Sequence, residues 1–146
     1  MSYLDTNLVE WAELTRIKAE LGPGFVRILG YFREDGEKSI TTIEQAFRAR
    51  DAAALVLPAH TLKGESAQFG AYRLSSMAED IEMVARRCVE FHENPEELIE
   101  VVVALRPCFT ETLALLDRDA SPLAARRPAA FGRRVEPRVQ GFGRAI

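Results

Sequence analysis

Histidine and cysteine are scarce in this chain of 146 residues, which contains two of each. Two cysteines cannot form the disulfide framework on which many small secreted domains depend. Cys88 and Cys108 each lie in an apolar stretch, which predicts two small core residues. The spacing of the cysteines and histidines fits no common zinc pattern, so we expect no metal site in this chain.

The sequence also lacks any run of about 18 apolar residues, so no transmembrane helix is expected. The N-terminal segment, Met1-Ser2-Tyr3-Leu4-Asp5, lacks the basic and then apolar order of a signal peptide. No P-loop or glycine-rich phosphate loop is present, which argues against a nucleotide-dependent kinase. We therefore expect a cytoplasmic protein that does not bind membranes.

Charge is divided unevenly along the chain. Residues 1–118 contain 13 Lys and Arg against 20 Asp and Glu, a balance of −7, whereas residues 119–146 contain six Arg against two acids, a balance of +4. The acidic part argues against nucleic-acid binding there. The second part is rich in Arg and Pro without an apolar period, which predicts a flexible tail. We expect a folded domain over 1–118 and a tail over 119–146.

Helical periods dominate the first part, and no segment is typical of a strand. We predict a first helix over about 6–21, capped by Asp5 or Thr6, with Trp11 in the core. A second helix starts near Phe25. Gly36 falls on its apolar face, so this segment is either one helix with a close-packing point or two helices with a break.

Three further helices are predicted from capping and turn residues. Asp51 is a good N-cap for the third, which ends at Gly70. The fourth carries an apolar stripe from Leu74 to Cys88, and Asn94-Pro95 starts the last. Short turns between long amphipathic helices favour antiparallel neighbours. The predicted fold is all-α: an up-down-up-down four-helix bundle with an additional N-terminal helix.

Residues 58–70 carry the clearest chemical pattern. At about 100° per residue, His60 falls on the side of the third helix opposite the apolar stripe. Small residues and one cation lie within about 60° of it: Val56, Lys63, Gly64 and Ala67. This arrangement predicts an exposed imidazole that can act as a nucleophile, with room for a bulky partner.

The neighbours of His60 each suit that chemistry. Lys63 favours the neutral imidazole and attracts phosphoryl oxygens. Gly64 leaves space for an incoming active site, and its presence is informative because glycine costs a helix interior roughly 1 kcal/mol relative to alanine. Val56 and Ala67, together with Gln68, are predicted to form the surface on which a partner docks.

The run His60-Thr61-Leu62-Lys63-Gly64, followed by Ser66 and Gly70, resembles the signature of histidine phosphotransfer (HPt) domains. Residues 24–117 follow that family's layout. The resemblance implies that His60 accepts a phosphoryl group from an aspartyl phosphate of a response-regulator receiver domain and passes it to another. It implies that Lys63 is the phosphate-side cation, Gly64 the access glycine and Gly70 the turn. It also implies no bound cofactor, since the receiver supplies the acidic pocket and the Mg²⁺.

Three residues either depart from the family pattern or have a role that the sequence leaves open. Glu65 stands where many members have a small or hydroxyl residue, and it either weakens phosphoryl stabilisation or points away near the core border. Many members have a glutamine on the fourth helix that bonds the active histidine, and Glu82 is the nearest match here. Pro58 is predicted to loosen the helix before His60.

The sequence therefore predicts a free-standing, monomeric phosphorelay intermediate, not an enzyme, whose partners are receiver domains and a histidine or hybrid kinase. The main alternative is a helical adaptor that docks receivers without transferring phosphate. A phosphatase is disfavoured because His60 has no evident acid partner. The phosphoacceptor domain of a larger kinase is disfavoured by the chain's length. His92 is expected to have no role, and Arg126-Arg127 and Arg133-Arg134 either belong to a flexible tail or hold an acidic surface.

Overall fold

The computed structural model describes residues 8–120, and side chains over 8–118. These residues form five α-helices: α1 Trp11–Leu21, α2 Phe25–Arg48, α3 Ala52–Gln68, α4 Tyr72–Phe91 and α5 Ile99–Ala120. Short 3-10 turns at Gly22–Gly24 and Glu96–Leu98 precede α2 and α5. Over residues 8–120 there is no strand, and no helix is long and apolar enough to cross a bilayer. The predicted all-α four-helix bundle with an extra N-terminal helix is confirmed.

The chain divides into two units, Met1–Ala114 and Leu115–Ile146. The first contains α1 to α4 and most of α5. In the second, the described part is the final stretch of α5. The predicted tail over 119–146 lies outside the described residues, apart from the helical backbone of its first two. Its flexibility, its arginine pairs and the domain boundary after residue 118 stay predictions.

The start of α1 is fixed by a contact with the α3–α4 turn. The Glu10 backbone N–H donates to the Gly70 carbonyl at 2.7 Å, and the Glu10 side chain accepts from the Ala12 N–H. Gly70 has a φ of +70°, and a Cβ there would lie 3.0 Å from the Glu10 carbonyl oxygen. Only glycine fits this turn without strain, because the backbone is left-handed and the neighbouring chain is close.

Two predictions about α1 were wrong. The helix begins at Trp11 and not near residue 6, because residues 8–10 are not helical and Glu10 provides the cap. The caps predicted at Asp5 or Thr6 lie outside the described residues. Trp11 is 48% exposed rather than in the core, whereas Leu14 is buried.

The long helix α2 is unbroken from Phe25 to Arg48, which decides between the two predicted alternatives. Gly36 is buried on its inner face, and a Cβ there would lie 2.5 Å from Phe109 Cε1 on α5. Phe109 also meets Phe32 edge to face, with ring centroids 5.7 Å apart. Gly36 is therefore the predicted close-packing point, and it lets α5 approach the backbone of α2.

Hydrogen bonds from Arg106 on α5 to side chains of α2 also join these two helices. Arg106 donates to both carboxylate oxygens of Glu44 at 3.0 Å and to Glu37 at 2.7 and 2.9 Å. It also donates to the Thr41 hydroxyl at 3.2 Å. A single guanidinium that meets two carboxylates in this way fixes the register of the two helices.

The ends of α3 and α4 largely follow the predicted signals. Asp51 caps α3 by accepting from the Ala54 N–H at 3.1 Å. His92, for which no role was predicted, ends α4 in a left-handed conformation with a φ of +55°. The prediction that Asn94 caps the last helix was wrong, because the 3-10 turn Glu96–Leu98 intervenes before α5. The predicted stripe of α4 is buried: Leu74, Met77, Ala78, Ile81, Ala85 and Cys88.

Candidate functional site

His60 lies in the middle of α3 with its side chain 57% exposed. The opposite side of the same helix is fully buried through Leu55, Ala59 and Leu62. The helical period therefore turns His60 outward while its neighbours anchor α3 in the core. The loosening predicted at Pro58 does not break the helix: α3 continues through the proline, which lacks only its own N–H, and His60 lies on the same helix.

Glu82 on α4 is the acid partner of His60. Its Oε2 atom lies 3.0 Å from His60 Nδ1, and its side chain is only 6% exposed. The sequence left this contact open, and the reading of His60 as a histidine without an acid partner was wrong. A signal was present, because Glu82 falls between Ala78 and Ala85 on the buried stripe of α4. An acid in such a stripe needs a partner.

Two cations converge on the same carboxylate. Lys63 Nζ lies 2.8 Å from Glu82 Oε1, and Lys63 comes one turn after His60 on α3. Arg86, one turn after Glu82 on α4, donates to Glu82 Oε2 through Nη2 at 2.8 Å and Nε at 3.0 Å. The sequence analysis missed Arg86, although its spacing of four residues from an acid was visible. We call His60, Lys63, Glu82 and Arg86 the Glu82 cluster.

The cluster sets the protonation state of Glu82, and the ionised Glu82 in turn sets the tautomer of a neutral imidazole. Burial raises the pKa of Glu82, but the contacts with Lys63, Arg86 and His60 outweigh burial and lower it to about 2. The carboxylate is therefore ionised at neutral pH and can only accept hydrogen bonds. It follows that the proton of a neutral His60 ring sits on Nδ1, which leaves the lone pair on Nε2.

The surface around the imidazole is open and partly apolar. Gly64 is exposed, and a Cβ there would meet nothing within 4 Å. Val56 and Ala67 are half-buried, and Gln68 is exposed near the end of α3. The sequence analysis missed Leu57, which is 71% exposed one turn before the histidine. Its helical spacing of three residues was the available signal.

Glu65 points to α2 and is not among the contacts of His60. Burial and, to a smaller extent, the negatively charged Asp35 on α2 together raise the pKa of Glu65 to about 7. Its Oε1 atom is buried and has no hydrogen-bond partner within residues 8–118. Of the two alternatives for this departure from the family pattern, the geometry favours a carboxyl that points away from the imidazole.

Glu65 makes stability depend on pH in a definite direction. Its folded pKa of about 7 lies above the ordinary value of 4.5, so the folded state holds a proton that the unfolded chain has released. Stability is expected to fall by roughly 1–2 kcal/mol between pH 4.5 and 7, allowing for solvent screening of a partly exposed group.

Glu65→Gln should flatten this slope when urea unfolding is measured from pH 4.5 to 8. Asp35→Asn is the matched control, and it should reduce the slope without abolishing it, because burial remains. Equal slopes for the wild type and Glu65→Gln would contradict the assignment.

Among the described residues, no three His, Cys, Asp or Glu side chains converge as a metal site would require. The expectation that this chain holds no metal or cofactor stays a prediction. The carboxylate of Glu82 already contacts two side-chain cations, Lys63 at Oε1 and Arg86 at Oε2.

Comparisons with known proteins give two matches. The profile of the Hpt domain family matches residues 27–118, which include the whole Glu82 cluster. Among solved structures, the crystal structure of histidine-containing phosphotransfer protein B (HptB) from Pseudomonas aeruginosa PAO1 matches with a TM-score of 0.69 and 22% identity. The match covers 79% of this chain and 96% of that one, and at this identity it establishes the fold. A search of curated proteins gave no match.

Proposed function

Because the chain belongs to the Hpt domain family, we propose that it relays a phosphoryl group between aspartates of receiver domains by carrying it on His60. The family makes the chain a histidine phosphotransfer protein of a two-component phosphorelay. The observation that carries the residue assignment is the exposed imidazole whose Nδ1 is held by the ionised Glu82. That contact leaves Nε2 as the nucleophile.

The transfer needs no base in this chain. Nε2 of the neutral His60 ring attacks the phosphorus of an aspartyl phosphate, the P–N bond forms, and the P–O bond to the aspartate breaks. The aspartate leaves as a carboxylate, and the ring keeps its Nδ1 proton and becomes cationic. Glu82 stabilises that cation, because its negative charge lies 3.0 Å from Nδ1. The return of the phosphoryl group to an aspartate is the reverse of these steps.

The remaining residues serve docking and charge. Lys63 lies one turn from the imidazole and is placed to meet the phosphoryl oxygens. Gly64 gives the receiver room to close over His60. Leu57 and Val56 offer an apolar contact on one side, and Ala67 with Gln68 extends the surface on the other.

The proposed function includes the protein partners of the chain and its location in the cell. The family implies interaction with histidine kinases and response regulators, and we include hybrid kinases among the donors. The chain acts as a monomeric, cytoplasmic carrier and not as an enzyme, and the receiver supplies the Mg²⁺ and the acidic pocket. The alternative is an adaptor that docks receivers without accepting phosphate, and the three side chains in contact with Glu82 favour the carrier.

The test follows labelled phosphate from a phosphorylated receiver, with Mg²⁺, onto the purified protein. We expect acid-labile, base-stable label on the wild type and none on His60→Gln. His92→Gln is the matched control, because His92 is also exposed and lies at the end of α4. Label that persists on His60→Gln would overturn the assignment. Receiver binding without label on the wild type would establish the adaptor.

A further inference from the structure

Glu82 places an ionised carboxylate on the buried side of α4, in contact with the imidazole of His60. Its side chain is 6% exposed, and a buried charge is costly unless nearby charges compensate it. Here the compensation is divided between the two oxygens. Lys63 faces Oε1, and Arg86 and His60 share Oε2.

Phosphorylation would disturb this balance. A phosphoryl group on His60 Nε2 adds more negative charge than the ring cation offsets, and it does so beside a carboxylate that is already ionised. Lys63 is the cation on α3 placed to meet the new oxygens, but it lies on Glu82 Oε1 at 2.8 Å. When Lys63 turns to the phosphoryl group, Oε1 loses its contact with Lys63. Glu82 then needs another side-chain cation in place of Lys63 to stay ionised.

Arg86 meets this need by its geometry. It donates two hydrogen bonds to Glu82 Oε2 from its own helix, at 2.8 and 3.0 Å, so its hold does not depend on α3. Its side chain is 58% exposed and reaches Glu82 from the surface of α4. A guanidinium is well suited to this task because it stays charged and presents its donors in a fixed plane.

We propose that Arg86 is a positioning residue that keeps Glu82 ionised when Lys63 moves from Glu82 to the phosphoryl group. Glu82 then holds the Nδ1 proton of His60 in both the free and the phosphorylated state. This inference rests on the proposed function of His60. It assigns the two cations different tasks: Lys63 changes partners during the reaction, and Arg86 does not.

The experiment separates this role from docking by using phosphoramidate, a small phosphoryl donor that needs no receiver. The yield and lifetime of phosphorylated His60 are followed by ³¹P NMR, and the ring tautomer by ¹⁵N NMR. In Arg86→Gln we expect a loss of phosphorylated protein of about tenfold, the size of a lost hydrogen bond to a charged group. The tautomer of the unphosphorylated protein should not change, because Lys63 still holds Glu82 there. A merely structural role would alter it.

Three further variants test whether the loss in Arg86→Gln comes from the contact with Glu82. Arg86→Lys keeps the charge and should recover part of the yield, because an ammonium lacks the fixed pair of donors. Arg87→Gln is the control, because Arg87 pairs with Glu93 and Glu97 and not with Glu82. In a Glu82→Gln background the loss caused by Arg86→Gln should disappear, since a neutral amide needs no compensating cation.

The outcomes distinguish the inference from the proposed function. Full phosphorylation of Arg86→Gln, or an equal loss in the Glu82→Gln background, would overturn the role of Arg86. Failure of phosphoramidate to label wild-type His60 would instead overturn the proposed function. If phosphoramidate labelled the wild type but no receiver transferred phosphate to it, the proposed relay would be rejected. The comparison of the Arg86 variants would still be valid.

Discussion

Gly64→Gln is expected to slow phosphoryl transfer from a receiver to His60 by about a hundredfold or more. The side chain would stand one turn after His60, where the receiver has to close over the imidazole. A displacement of the reacting groups by about 1 Å is enough to cost about a hundredfold in rate. Labelling by phosphoramidate should change by less than about twofold, because a small donor does not need that space.

The fold itself should tolerate this change. A Cβ at Gly64 meets nothing within 4 Å, and replacing glycine in a helix adds up to about 1 kcal/mol of stability. Gly64→Ala should give an intermediate rate, and Thr61→Gln, on an exposed position about 100° around the helix from His60, should leave the rate unchanged. Equal slowing with the receiver and with phosphoramidate would mean that Gly64 acts on the imidazole and not on access.

Gly36→Ala is expected to lower the free energy of unfolding by about 1–3 kcal/mol, the usual cost of overpacking a core. The added Cβ would lie 2.5 Å from Phe109 Cε1 and 2.6 Å from Cζ. The ring is buried and meets Phe32 edge to face, so it has little room to move away from the added Cβ. Helix propensity favours alanine by about 1 kcal/mol, which does not offset the clash.

Gly30→Ala is the matched control for Gly36→Ala. Gly30 lies on the same helix, and a Cβ there meets nothing within 4 Å. Urea unfolding should therefore show Gly30→Ala as stable as the wild type or up to about 1 kcal/mol more stable. If both variants shifted stability in the same direction, helix propensity and not the contact with Phe109 would be the cause.

Several sequence patterns within one helix predicted the structure correctly, although those for Trp11 and for the Asn94 cap did not. The apolar stripe of α4, the Asp51 cap and the left-handed Gly70 each depend on residues a few positions apart, and each is present in the structure. The close-packing role of Gly36 was one of the two alternatives that the sequence left open, because a glycine on an apolar face is typical either of a close approach by another helix or of a helix break.

Contacts between distant segments could not be predicted in this way. The start of α1 depends on Glu10 and Gly70, which are 60 positions apart. The Glu82 cluster joins α3 to α4, and its contacts depend on how the two helices are rotated against each other. A helical wheel fixes the direction of one side chain on its own helix, but it does not fix that rotation.

The hold of Glu82 on Nδ1 has a kinetic consequence for the proposed relay. It leaves His60 one nucleophilic nitrogen on one face of α3, so the donor and the acceptor receiver must use the same docking surface in turn. The relay then follows a ping-pong order, in which the first partner leaves before the second arrives. A receiver that bound this surface for long would block the pathway, so throughput requires complexes that dissociate quickly.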